Sequence, residues 1–323
     1  MGISRSLRAS SLTKSGAAAA LLLLAACGGA PADAYPAAST KAATTVTTAR
    51  DDAMSAMPRT TGDTATDGLN WINFRRRQAG LSALARNLRL DHAAQGQAGY
   101  LEVNRTVSHV QTPGRPGFTG VTLTDRLASS GYGFANVGHA YGEVIAATGS
   151  SSGFNAADEL VTAIYHRFVV LEPMSKQAGV AAVNGNNETY FTADTTADGL
   201  DQGLGAGRFI TYPVAAQTEV PTLFHNDGEK PEPVPGRHDV GFPISVHADL
   251  LSSLQVLHFS LRPKGGAALP VHMLTSVIDP NTPTSAAAII PIGVLQAATT
   301  YEVQFVGRVD GVQVARNWQF TTR

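Results

Sequence analysis

The chain has 323 residues, of which 43% are hydrophobic and 15% are charged, and its formal net charge at pH 7 is −1. This composition is typical of a globular protein and excludes a largely disordered one, while the length favours two domains. A net charge so close to zero does not favour nucleic acid or an anionic membrane face as a partner.

The first 27 residues are typical of an export signal. Three basic residues precede the apolar run GAAAALLLLAA, which is too short to span a bilayer as a mature helix. The run ends in Leu-Ala-Ala-Cys27, which resembles the bacterial lipobox, and the resemblance implies cleavage before Cys27 and its diacylation. Residues 1–27 are therefore predicted to be a lipoprotein signal peptide, with the membrane as the partner of lipidated Cys27. Gly28 implies outer-membrane sorting in a Gram-negative host.

Residues 28–66 are rich in Ala, Thr and Ser and nearly free of large apolar residues, which predicts a flexible tether. Globular patterning starts at residue 67. The runs DGLNWINFRRRQAG and RNLRLDHAAQGQAGYLEVN predict two helices, and Gly80 ends the first. In the first helix, the basic run 75–77 is predicted to form a solvated face, with Arg76 as a candidate anchor of the core.

The next elements complete a first domain over residues 67–198. LTDRLASSG predicts a short helix, in which Asp125 caps and Arg126 forms an ion pair that fixes the preceding loop. NAADELVTAIYHRFVV predicts one helix capped by Asn155. AGVAAV and ETYFTAD predict two strands joined by the hairpin signal NGNN. Helices followed by a hairpin indicate an α+β layered domain.

A second domain follows a glycine-rich break. Residues 199–222 are predicted to be a linker, and residues 223–323 an all-β sandwich, because short alternating strands such as SLQVLHFSLRP and TTYEVQFVGRV are separated by turn signals. This region contains five histidines without metal-ligand spacing, which are predicted to lie on the surface: His225, His238, His247, His258 and His272.

Short motifs follow one another between residues 69 and 194. They are LNWINFRRRQAGLSALARNLRL, SHV, PGFTG with a downstream DR pair, GEVI, IYHR and the closing strands AGVAAV and TYFTAD. Their order and spacing resemble the CAP superfamily (cysteine-rich secretory proteins, antigen 5, pathogenesis-related 1) in its bacterial SCP-domain form. One departure is Gln97-Ala98, where the PGFTG subgroup tends to have His-Ala. The last hundred residues resemble a bacterial Ig-like domain.

The resemblance implies a fold and a site. The fold class is α+β: a three-layer α-β-α sandwich followed by an all-β Ig-like sandwich. The family cleft holds two histidines and two acidic residues, and by matched position these are His109, His166 and Glu143, with the fourth unassigned. Glu159 lies seven residues before His166, so on a continuous helix the two would share a face. Glu159 is therefore a candidate second acid.

Three chemistries remain open for such a cluster. It could hold Zn²⁺ or another divalent metal through His109 and His166, it could act as a general acid and base, or it could be a self-satisfied polar cluster that joins helices. For Glu143, an ion pair with a nearby arginine is an equally open interpretation.

Two functions follow from these features. The first is a non-enzymatic, envelope-anchored lipoprotein that binds a small amphiphile, lipid, wall component or partner protein through the His/Glu-lined cleft. The second is a metal-dependent or acid/base hydrolase of envelope peptide or glycan, with His109, Glu143 and His166 as its catalytic residues. The absence of a G-x-S-x-G motif and of a marked nucleophile favours the first.

Overall fold

A computed structural model of the protein describes residues 56–185 and 187–323. Cys27, the predicted signal peptide and most of the predicted tether lie outside the described residues. Among the described residues, no helix is long and apolar enough to cross a membrane.

The first part of the described chain is built around one four-stranded sheet. Its strands are β1 (Ala85–Arg86), β2 (His139–Thr148), β3 (Gln177–Gly185) and β4 (Glu188–Asp198), in the order β1-β3-β4-β2. β4 pairs antiparallel with both β3 and β2, and the predicted β3–β4 hairpin is confirmed. The helices are α1 (Thr64–Gln78), α2 (Leu88–Asn104), α3 (Leu123–Ser129), α4 (Gly153–Thr162) and α5 (Ile164–Val170).

The helices cover both faces of this sheet. Along β2, Val144 packs into a core with α1, α4 and α5, while its neighbour Ile145 packs with Tyr100 of α2. Successive strand residues point to opposite faces, so α1, α4 and α5 form one layer and α2 and α3 the other. The α-β-α arrangement predicted for the first domain is confirmed.

A glycine sets the close approach of α2 to the sheet. A Cβ at Gly179 of β3 would lie 2.0 Å from the carbonyl carbon of Leu90 and 2.3 Å from the amide nitrogen of Asp91. Both atoms belong to the backbone, so relief requires a shift of the whole helix.

We expect Gly179→Ala to lower the free energy of unfolding by roughly 1–3 kcal/mol, the usual cost of overpacking, as measured by urea denaturation. Gly99→Ala in α2 is the control, because a Cβ at that position would meet no neighbouring group within 4 Å. The control should stabilise by about 0.5–1 kcal/mol. Equal stabilities of the two variants would contradict the close approach of α2.

The C-terminal part is all-β. Its strands are β5 (Ile210–Tyr212), β6 (Gln217–Val220), β7 (Leu223–His225), β8 (Asp239–Gly241), β9 (Ile244–His247), β10 (Leu254–Pro263), β11 (Val271–Thr275), β12 (Ala286–Pro291), β13 (Thr300–Val309) and β14 (Val312–Thr322). One sheet has the order β10-β13-β14-β6 and the other the order β11-β12-β9-β5, with a separate β7–β8 pair. Apart from the parallel contact between β6 and β14, these pairings are antiparallel. The antiparallel sheets fit the predicted sandwich, and its Ig-like character stays a prediction.

Two element predictions were wrong. The segment NAADELVTAIYHRFVV forms two helices, because Ala163 takes an extended conformation between α4 and α5 and α4 is capped by Ser152 rather than Asn155. Residues 199–222, predicted to be a linker, contribute β5 and β6, which pair with β9 and β14. Short strands of three or four residues carry too little alternation for detection from sequence.

The two parts of the described chain share a continuous core. Ile164, Tyr165 and Phe168 of α5 are buried with apolar residues of the C-terminal region, among them Phe224 and Ile290. The contact is therefore a packed interior and not a loose contact between independent domains.

Candidate functional site

His109 and Glu143 meet on the α2–α3 side of the sheet. The Nδ1 of His109 donates to Oε1 of Glu143 at 2.8 Å, and Nη2 of Arg126 in α3 donates to Oε2 at 2.6 Å. Glu143 and Arg126 are fully buried, and His109 is nearly so. Both interpretations of Glu143 thus apply, since it holds the predicted histidine and pairs with an arginine. Arg126 also holds the loop that carries His109, because its Nη1 donates to the carbonyl oxygen of His109.

Asp194 adds a second carboxyl group to this cluster. It faces Glu143 across the β2–β4 ladder and is fully buried. Among the described residues, no backbone amide or basic side chain donates to either of its oxygens, and its side chain lies within hydrogen-bonding reach of Glu143. Burial, and next the negative charge of Glu143, raise the pKa of Asp194 well above its usual range. The protonated acid is therefore favoured, because two neighbouring buried carboxylates cannot both ionise cheaply.

Two glutamines hold the loop that carries His109. Gln97 of α2 donates to the carbonyl oxygen of Ser108, and Gln111 donates to Gln97 and accepts from the backbone of Thr119. Both glutamines are fully buried. Phe118, further along the same loop, is 39% exposed. The loop is thus anchored by buried amides rather than by an aromatic side chain.

His166 lies on the other side of the sheet. It belongs to α5, which packs on the α1–α4–α5 face of β2. Val169 of the same helix shows this, because it lies directly over Gly142 of β2, where a Cβ would touch it. The Nδ1 of His166 donates to Oε1 of Glu229 at 2.9 Å, and the same oxygen accepts from the amides of Tyr165 and His166. The histidine therefore joins α5 to the C-terminal region.

Glu159 is remote from both histidines. It accepts hydrogen bonds from Thr148, at the far end of β2, and from Asn155 one turn earlier in α4. The break at Ala163 removes the helical continuity on which its assignment rested. Glu159 is not brought to either histidine.

The four predicted residues thus form separate groups: His109 with Glu143, His166 with Glu229, and Glu159 alone. Because the sheet separates the first two groups, His109 and His166 cannot ligate one ion, and these residues do not fit the metal site predicted for the two histidines. The acid beside Glu143 is Asp194.

Arg76, at the centre of the predicted solvated basic face, is fully buried. It donates to four backbone carbonyl oxygens: those of Ser82, Val170, Glu172 and Ser175. The structure confirms its predicted role as an anchor of the core.

A family model provides the assignment. The model of the cysteine-rich secretory protein family, CAP, matches residues 69–195. These residues form a CAP domain. The matched range contains both histidines, Arg126, Glu143 and Asp194.

Solved structures are also similar to part of this chain. An extracellular protein containing an SCP domain from Bacillus anthracis str. Ames is 24% identical, with a TM-score of 0.35, over 43% of this chain and 44% of that chain. An outer surface protein from Borrelia burgdorferi is 17% identical, with a TM-score of 0.34, over 41% of this chain and 90% of that chain. The alignment therefore spans less than half the length of the Bacillus protein. No curated protein matches the chain.

Sequence reasoning missed two acids of the site. Asp194 had a signal: it lies in the interior of a strand whose other charged residues, Glu188 and Asp198, are at its two ends, and charged residues are rarely buried without a function or partner. Glu229 had none, because it lies 63 residues from His166 in a polar loop.

The surface prediction for the C-terminal histidines is confirmed for His225 and His238, which are exposed, and is wrong for His247. His247 is buried. His225 and His238 lie in one group with Asp239 whose ligand atoms are all within 4.8 Å of one another. The spacing of these residues along the sequence did not reveal the group, because His225 is placed opposite Asp239 by the pairing of β7 with β8.

Proposed function

We propose that this protein is a non-enzymatic binding protein of the cell envelope. Lipidated Cys27 anchors it to the outer membrane of a Gram-negative cell, residues 28–66 act as the tether, and the CAP domain binds its ligand on the side that carries His109. The lipobox and the low-complexity segment after it support the anchor.

The observation that carries the non-enzymatic function is the division of the histidines between two faces. A hydrolase built on His109, Glu143 and His166 would need all three at one substrate. His166 is instead buried against Glu229, and the charge of Glu143 is matched by Arg126. This arrangement favours polar clusters that hold loops and helices in place.

The surface around His109 favours an amphiphile over the other candidate ligands. Val107 and Val110, on either side of the histidine, are exposed, as is Phe118 further along the same loop. Buried amides fix the loop, so these apolar side chains are held in place before a ligand arrives, which lowers the entropic cost of binding.

Acid/base hydrolysis is the second candidate, and one feature favours it. Nε2 of His109 has no hydrogen-bond partner among the described residues, while its Nδ1 is oriented by Glu143. A histidine held in this way can accept a proton at Nε2. The protonated form of Asp194, favoured by its raised pKa, would supply a nearby acid.

Vesicle binding tests the proposal. The full chain with Cys27→Ser, which cannot be acylated, should co-sediment with phospholipid vesicles. Val110→Asp/Phe118→Asp should weaken this binding about tenfold or more, since two apolar contacts are lost. Val137→Asp is the control, because Val137 is exposed but lies outside the loop.

The same protein is incubated with isolated cell-wall sacculi to test the alternative. Release of soluble fragments by the Cys27→Ser chain, abolished by a further His109→Gln, would establish the hydrolase. Failure to bind vesicles would refute amphiphile binding.

A further inference from the structure

A histidine–carboxylate cluster lies on the surface of the β7–β8 pair, outside the CAP domain. His225 ends β7 and faces Asp239, the first residue of β8, across the antiparallel ladder, and His238 directly precedes Asp239. One ligand atom from each of the three lies within 4.8 Å of the others. We propose that His225, His238 and Asp239 bind a divalent transition metal ion of the Zn²⁺ class.

The ligand chemistry supports this class of ion. Two imidazoles and one carboxylate are a typical set for Zn²⁺ and leave a fourth position for water, whereas Ca²⁺ and Mg²⁺ prefer all-oxygen sets. The three side chains are exposed, so small rotations can close the ligand atoms around an ion without moving the strands. Exposure also gives the ion direct access.

A second carboxylate supports one of the ligands. Nδ1 of His238 lies 2.6 Å from Oδ2 of Asp227, and Nδ1 of His225 lies 2.7 Å from Oδ1 of Asp239. A carboxylate on one ring nitrogen orients the imidazole and raises its basicity at the other, which strengthens metal binding. Asp227 would therefore orient His238 from outside the ligand set.

The site is placed where it would act on the rest of the protein. The ion would connect His225 to residues 238–239 and close the loop between them. That loop carries Glu229, the residue that accepts hydrogen bonds from Tyr165 and His166 of the CAP domain. An ion that binds the native state and not the unfolded state stabilises the fold. The metal would therefore strengthen the contact between the two parts of the chain.

The experiment measures Zn²⁺ bound by the purified full chain, prepared without a polyhistidine tag, by equilibrium dialysis and by the shift in Tm. We expect one ion per chain and a higher Tm with Zn²⁺. His225→Asn/His238→Asn should lose both effects, and Asp227→Asn should weaken the affinity about tenfold. His258→Asn/His272→Asn, which removes two histidines of the same region outside the cluster, should behave like the wild type.

Two results would overturn the site. One is the absence of stoichiometric Zn²⁺ binding by the full chain. The other is retention of the ion by His225→Asn/His238→Asn together with its loss from His109→Gln, which would place the metal in the CAP domain instead. Circular dichroism of each variant verifies that it is folded.

Discussion

Replacing Arg126 with methionine is expected to lower the free energy of unfolding by roughly 3–5 kcal/mol at pH 7, the range for breaking a buried ion pair on one side. Among the described residues, Arg126 is the only arginine or lysine that forms a salt bridge with Glu143. Without it, the Glu143 carboxylate stays buried beside Asp194 with its Oε2 unpaired. Urea denaturation followed by circular dichroism measures the loss.

An exposed ion pair of similar length is the matched control. Nε of Arg262 lies 2.8 Å from Oε2 of Glu302, with the Arg262 side chain more than half exposed. Arg262→Met should cost less than about 1 kcal/mol, because solvent screens such pairs. Adding Glu143→Gln to Arg126→Met should recover part of the stability, since it removes the unpaired charge. Equal losses from the two arginine variants would contradict the burial argument.

The raised pKa of Asp194 adds a pH dependence with a definite sign. A carboxyl group whose pKa is higher in the folded than in the unfolded state stabilises the fold fully below the unfolded pKa, and this contribution is lost as the pH rises towards the folded pKa. The asparagine of Asp194→Asn cannot ionise, so the variant does not lose stability in this way as the pH rises. Relative to the wild type, Asp194→Asn should therefore gain stability as the pH rises from 4 to 8. A difference independent of pH would contradict the raised pKa.

The layered fold of residues 67–198 was accessible from sequence because its signals are local. Gly80, at a φ of +80° directly beyond the C-cap of α1, and the NGNN turn mark where elements end, and the apolar spacing of α2 marks its buried face. The family resemblance rested on motifs within these same elements, and the family model matches nearly the same range.

The grouping of the site residues was not accessible. Position in a motif assigned His109 and His166 to one cleft, but which side of the sheet each reaches depends on strand register and on the break at Ala163. Strand register leaves no local signal. The break leaves none either, because Ala163 is a good helix former. The partner that holds His166, Glu229, comes from the C-terminal region, and no spacing rule connects residues across two parts of a chain.

The largest effect on the organisation of the protein is expected from Arg167→Met. Arg167 is fully buried at the contact between the two parts of the chain. It donates to the carbonyl oxygens of Val161 and Thr162 in the CAP domain, and to the carbonyl oxygen of Pro243 and the hydroxyl of Ser245 in the C-terminal region. Burial lowers its pKa to about 10, so it remains charged at neutral pH.

Methionine fills a similar volume but donates no hydrogen bond. Each buried carbonyl oxygen left without a donor costs about 1–3 kcal/mol, and the guanidinium also leaves the faces of the Tyr212 and Phe242 rings, whose centroids lie 4.9 and 4.8 Å away. We expect the free energy of unfolding to fall by roughly 3–5 kcal/mol, with the loss at the contact between the two parts. Urea unfolding should then show two transitions instead of one.

Arg76→Met separates this effect from the general cost of removing a buried arginine. Arg76 is equally buried and also donates to backbone carbonyl oxygens, but all of its acceptors lie within the CAP domain. The two variants should lose similar stability, whereas only Arg167→Met should expose the segment around residues 199–209 to limited proteolysis. If Arg76→Met is cleaved there at the same rate, Arg167 does not join the two parts, and their shared apolar core alone holds them together.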